Sequence, residues 1–114
     1  MMRTVSYDDK NDILFVHLGF DEGEEFATNL CEGNVILDIS SKGSIRGVEL
    51  MNASECLARF GITTKFLLSI TDADFTASKN TTGTTIELSL CSKSDRKNAP
   101  LHIAIGEPIQ AVVS

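Results

Sequence analysis

The chain has 114 residues, ten Lys and Arg against sixteen Asp and Glu, two His and a net charge of −6. This length suits one domain, taken here as residues 1–114, with enough chain to bury a core unaided. The acidity argues against nucleic acid, which needs clustered Lys and Arg, and the scarcity of aromatic residues argues against a stacking platform. Cys31, Cys56 and Cys91 are odd in number, far apart and without a CxxC pair. They read as reduced thiols of a cytoplasmic protein. There is no basic start followed by an apolar run, and no apolar stretch of about 20 residues, so neither a secretory signal nor a membrane span is expected.

The pattern along the chain is short strands separated by turns. Arg3 to Tyr7 reads as a strand, and Asp8 to Asp12 as a polar turn whose Asp and Asn side chains can bond nearby amides. Ile13 to Leu18 is apolar at nearly every position and reads as a central strand covered on both faces. An acidic loop, Gly19 to Glu25, leads to a weaker strand at Phe26 to Leu30. Val35 to Ser40 and Ile45 to Met51 form the clearest hairpin. Centring it on Lys42 sets Ile39 opposite Ile45, Ile36 opposite Val48, and Asp38 opposite Arg46 as an ion pair. Gly47 marks a bulge or a close backbone approach.

A helix is expected over Ala53 to Phe60. Asn52 stands as its N-cap, Glu55 completes a capping box, and Ala53, Cys56, Leu57 and Phe60 form one apolar stripe before Gly61. Beyond Gly61 alternation predicts strands at Lys65 to Thr71, Asp74 to Lys79, Thr84 to Cys91, Leu101 to Ile105 and Ile109 to Val113, with a mobile loop at Ser92 to Pro100. The fold class is therefore mainly β, with α+β as the alternative: about seven to nine short antiparallel strands and one short helix near residues 53–60.

Several pieces stand in a telling order: Tyr7-Asp8, Asp12-Ile13-Leu14-Phe15-Val16-His17-Leu18, Val35-Ile36-Leu37-Asp38, Gly47-Val48-Glu49-Leu50, and Ala53-Ser54. In these, residues of about 5–58 resemble domain-of-unknown-function family 2283, a set of small prokaryotic proteins. Residues 62–114 form a strand-rich extension. The family carries no assigned activity, so the resemblance implies no catalytic residues. Some members look like partners of small toxin-like proteins, which implies an antitoxin-like or interaction role.

Candidate chemistry is sparse. Asp8, Asp9 and Asp12 could offer carboxylates to a hard cation, but their spacing is not that of an EF-hand, and an Asx-type hairpin turn is the favoured reading. Asp21, Glu22, Glu24 and Glu25 read as a solvated loop that could also meet a basic partner. Asp38 and Glu49 fall on opposite faces in the register above, which disfavours a carboxylate dyad. His17 reads as a strand-end histidine with a hydrogen-bonded partner, and no motif spacing joins it to His102 and a cysteine as a zinc set. Walker, G-x-G-x-x-G, H-E-x-x-H and G-x-S-x-G motifs are absent. No catalytic residue and no cofactor is expected. The expectation is a non-catalytic interaction or oligomerising module whose partner is a protein or a second copy. Binding of a small ligand or divalent cation is the alternative, and a hydrolase built on His17, Asp38 and Glu49 the remaining one.

Overall fold

The computed structural model describes residues 3–104. Within them, eight strands form two antiparallel sheets. The first sheet holds β1 (Thr4–Asp8), β2 (Ile13–His17), β3 (Phe26–Glu32), β4 (Val35–Ser40) and β5 (Ile45–Met51), in the order β1-β2-β5-β4-β3. The second holds β6 (Asp72–Asn80), β7 (Gly83–Cys91) and β8 (Arg96–Ile103) in sequence order. Between the sheets in sequence lie α1 (Ala53–Leu57), a 3-10 turn (Ala58–Phe60) and α2 (Thr64–Leu68). The mainly β, antiparallel reading is borne out. The expected strand at Ile109 to Val113 and the end of that at Leu101 to Ile105 lie outside the described residues.

One core fills the space between the sheets. Leu14, Val16, Leu37, Ile39, Val48 and Leu50 come from one inner face, and Ala73, Phe75, Ile86, Leu88, Leu90, Leu101 and Ile103 from the other. Leu57, Ile62, Phe66 and Leu67 join them from the helical segment. Each fully buried side chain of this kind contributes about 1.5–3 kcal/mol of transfer free energy, so α1, too short to persist alone, is held by its stripe.

Five expectations are corrected. Lys65 to Thr71 is not a strand. Thr63 accepts the Phe66 N–H through its Oγ1 at 3.1 Å and starts α2, so Phe66 and Leu67 turn inward while Leu68 is 60% exposed. Ile62, Phe66 and Ile70 fit a helical stripe as well as Phe66, Leu68 and Ile70 fit an alternating one, and the hydroxyl cap decides between them. Ser92 to Pro100 is not all loop: β8 begins at Arg96, and Pro100 is tolerated because β8 is an edge strand. β2 is interior to its sheet, but only Leu14 and Val16 are buried, and its other face is half open. Asn52 does not cap α1 with its side chain: its left-handed backbone (φ 54°, ψ 44°) is not that of a capping residue, and its Nδ2 donates to Asn34 Oδ1 instead.

The fifth correction concerns the β4–β5 register. Ile39 does face Ile45, but a bulge follows, and Asp38 faces Gly47, Leu37 faces Val48 and Ile36 faces Glu49. Arg46 is the residue left over. Its Nε donates to the Gly19 carbonyl at 2.7 Å and lies 3.4 Å from Glu24 Oε1, with Nη2 3.5 Å from Asp21. The bulge thus sends Arg46 to the acidic loop and away from Asp38.

Candidate functional site

The acidic turn is built into the scaffold. Asp8 Oδ1 accepts the N–H groups of Lys10 and Asn11, and Oδ2 accepts Asn11 Nδ2. Those bonds, the Asn11 side chain first, hold the Asp8 carboxyl below its usual range. Asp12 Oδ1 accepts the Tyr7 hydroxyl at 2.6 Å and the Ser54 N–H at 3.0 Å, while Oδ2 accepts the Ser54 hydroxyl at 2.8 Å. The Asp12 carbonyl takes the Ala53 N–H at 3.0 Å. Asp12 therefore caps α1 from the β1–β2 turn. Desolvation works to raise its pKa, but the bonds from Tyr7 and Ser54 outweigh it and leave the group lowered. Burial, then the bond to Asp12 and its charge, push Tyr7 from 10.0 up to about 12. Asp9 is exposed. Among the described residues, no group of three or more His, Cys, Asp or Glu is placed to hold a metal ion.

The acidic loop is likewise tied down at one point. Glu24 is buried, takes the Ser40 hydroxyl on Oε2 and the Asp21 N–H on Oε1, and sits beside Arg46. The Ser40 bond leads the causes that lower its pKa. Only Asp21, Glu22 and Glu25 of this group face solvent.

The outward face of the first sheet gathers what the linear reading had kept apart. Because Asp38 faces Gly47, and Glu49 lies two residues along the same strand, the two carboxylates share one face. His17 and Phe15 join them from β2, opposite Gly47 and Glu49, and Asn29 from β3, opposite Asp38. Asp38 accepts Asn29 Nδ2. A Cβ on Gly47 would lie 2.6 Å from Asp38 Oδ2 and 2.8 Å from His17 Cδ2, so both side chains lean over the glycine. His17 Nδ1 accepts the Gly19 N–H at 2.9 Å, which leaves the proton of the neutral ring on Nε2. Phe20 meets the His17 ring edge-on at a centroid distance of 4.9 Å.

Ile13, Phe15, Ile36 and Met51 complete this face, all half-buried. The only Lys or Arg in the five strands is Arg46, which the acidic loop occupies. Asp38 and Glu49 have no ion-pair partner among the described residues. The result is a sheet surface of apolar and acidic side chains without a strong cation.

A cavity of about 430 Å³ lies elsewhere, beside α1. Val35, Leu50, Cys56 and Leu101 contribute apolar lining, and Glu32, Glu55, Arg59 and His102 polar groups. All three cysteines are free, and only Cys31 is exposed. No helix among the described residues is long and apolar enough to cross a membrane.

These features define a two-sheet antiparallel β protein whose first sheet and helix cap form one unit. Residues 4–54 match the model of a family described as a protein of unknown function (DUF2283), which bears out the resemblance in that part of the chain. The match runs from the start of β1 to Ser54, and so takes in the five strands, Asp12 and the serine that Asp12 holds. No curated protein and no solved structure matches the chain.

Sequence reasoning missed the outward face because the run Ile13 to Leu18 does not alternate in polarity. The one signal was the charge of Asp38 and Glu49 within otherwise apolar strands.

Proposed function

We propose that this chain is a non-catalytic, cytoplasmic protein-interaction module. Its docking surface is the outward face of the first sheet, and its partner is a basic protein. One observation carries the reading: that face combines half-buried Ile13, Phe15, Ile36 and Met51 with the carboxylates of Asp38 and Glu49, which have no ion-pair partner among the described residues, and its strands hold no Lys or Arg but Arg46, which the acidic loop occupies. Apolar surface supplies affinity, and charge complementarity selects a basic partner and speeds encounter. An antitoxin-like role, in which a small basic protein is the partner, fits this chemistry. The product of the neighbouring gene is the first partner to try.

The test is co-purification of that product with the tagged full chain and with the double variant Asp38→Lys/Glu49→Lys. Glu87→Lys, on an exposed position of β7, serves as the control. Retention by the wild type and control but not by the double variant supports the reading. Equal retention by all three removes the face from it. Absence of any complex with the wild type counts against an antitoxin-like role.

The cavity beside α1 favours a second reading, a small-ligand site with an apolar lining and polar groups of both charges. Calorimetry with divalent cations and with small zwitterions tests it, and the absence of heat would remove it.

A further inference from the structure

Among the described residues, one buried side-chain oxygen finds no hydrogen-bond partner: Thr84 Oγ1. Thr84 is 1% exposed and stands on the inward face of β7, in step with Ile86 and Leu88. An unmet buried hydroxyl is destabilising, and valine would fill the same space without that penalty. Thr84 also lines a cavity of about 330 Å³ where the second sheet meets the β4–β5 turn. Gly43, Ser44 and Ile45 line it from the first sheet, and Ala77 and Lys79 from β6. Lys79 faces Thr84 directly across the β6–β7 ladder. Both side chains therefore leave the same face of the sheet, with Cβ atoms about 4.5–5.5 Å apart. The Lys79 ammonium has no ion-pair partner among the described residues. In a chain with sixteen Asp and Glu, none lines this cavity.

We propose that this cavity binds a small carboxylate with a short apolar tail. The Lys79 ammonium balances the single negative charge. The Thr84 hydroxyl, free to turn about χ1, donates to a carboxylate oxygen and so gains the partner it lacks. Ser44, exposed at the mouth, offers a second hydroxyl. Ile45 and Ala77 give the tail an apolar wall. One lysine with no second basic group suits a monoanion better than a phosphate dianion. A carboxylate also meets the hydroxyl better than water does, because a bond to an ionised acceptor is the stronger one. The site goes beyond the basic-partner reading: it lies off the outward face of the first sheet and selects the opposite charge.

Butyrate is the probe, with butyramide as its uncharged counterpart and inorganic phosphate as the dianion. Titrated into the isotopically labelled full chain, butyrate is expected to shift the amides of Ser44, Lys79 and Thr84 saturably. It is expected to bind about tenfold or more tighter than butyramide or phosphate. Lys79→Gln and Thr84→Val are each expected to weaken butyrate by about tenfold or more. Thr84→Val also reads the free chain. Without ligand it is expected to melt above the wild type, because the unmet hydroxyl is gone, and it should lose the rise that butyrate gives the wild type. No saturable shift with butyrate, equal binding of butyramide, tighter binding of phosphate, or full binding by either variant overturns the proposal. So does a Thr84→Val chain that melts at or below the wild type, which would show that water already meets the hydroxyl.

Discussion

The carboxylate of Asp12 holds Ser54, 42 residues away in sequence, by two bonds: Oδ1 to its N–H at 3.0 Å and Oδ2 to its hydroxyl at 2.8 Å. With the Tyr7 hydroxyl also on Oδ1, this one side chain joins β1, the β1–β2 turn and the start of α1. Asp12→Ala strands the Ser54 amide and removes three charge-assisted bonds. Urea denaturation is expected to show a loss of about 2–3 kcal/mol. A loss below about 0.5 kcal/mol would show that water replaces Asp12 without cost.

Three bonded carboxylates and the Tyr7 hydroxyl give the stability profile two limbs. Asp8, Asp12 and Glu24 hold a proton less tightly when folded than when unfolded. Their stabilisation is therefore complete above the ordinary carboxylate range and is lost as pH falls through their lowered values. Tyr7 behaves oppositely: raised from 10.0 to about 12, it stabilises fully below 10.0, and that contribution is lost as pH rises through about 12. Melting temperature measured against pH should be flat through neutrality and fall at both ends. In Asp12→Asn the alkaline fall should still begin near 10.0 but be smaller and end at a lower pH, because the Asp12 charge that adds to the effect of burial on Tyr7 is gone.

Two glycines should differ sharply in tolerance. A Cβ on Gly83, at φ 143°, would meet the Ile103 carbonyl oxygen at 2.2 Å and the Ala104 Cα at 2.9 Å, both backbone atoms that cannot step aside without breaking β7 from β8. On Gly47 the nearest atoms are side-chain atoms of Asp38 and His17. Gly47→Ala is expected to cost about 1–2 kcal/mol, with Asp38 and His17 displaced, and Gly83→Ala well over 3 kcal/mol. Chemical denaturation of the pair measures the order, and the reverse order would contradict the placement of both residues.

The helix at Thr64–Leu68 is open to a direct comparison of neighbours. Leu67 is 1% exposed and Leu68 60% exposed. Leu67→Ala is therefore expected to cost about 3 kcal/mol and Leu68→Ala less than about 0.5 kcal/mol. A strand in this segment, with Phe66, Leu68 and Ile70 inward, predicts the opposite ranking.

These particulars show where the sequence was legible. The bounds of β4 and β5 and the inward sets of β7 and β8 follow from alternation, and the helix start at Ala53 from its apolar stripe. What escaped is non-local or ambiguous over short lengths. No rule of spacing points from Asp12 to Ser54. One bulged residue sends Arg46 to Glu24 and brings Asp38 to the face of Glu49. Five residues of α2 are too few for the helical and strand periods to separate. The candidate surface was hidden for the first reason, since it is assembled from four strands and made visible only by their register.

The central claim is that the acidic turn is scaffold and that the outward sheet face receives a basic partner. Amide chemical-shift mapping of the full chain with a short amphipathic Lys/Leu peptide tests it most directly. The account predicts shifts concentrated at Phe15, His17, Asp38 and Glu49. Shifts confined to Asp8–Asp12 or to the Asp21–Glu25 loop, or no shifts at all, would contradict it.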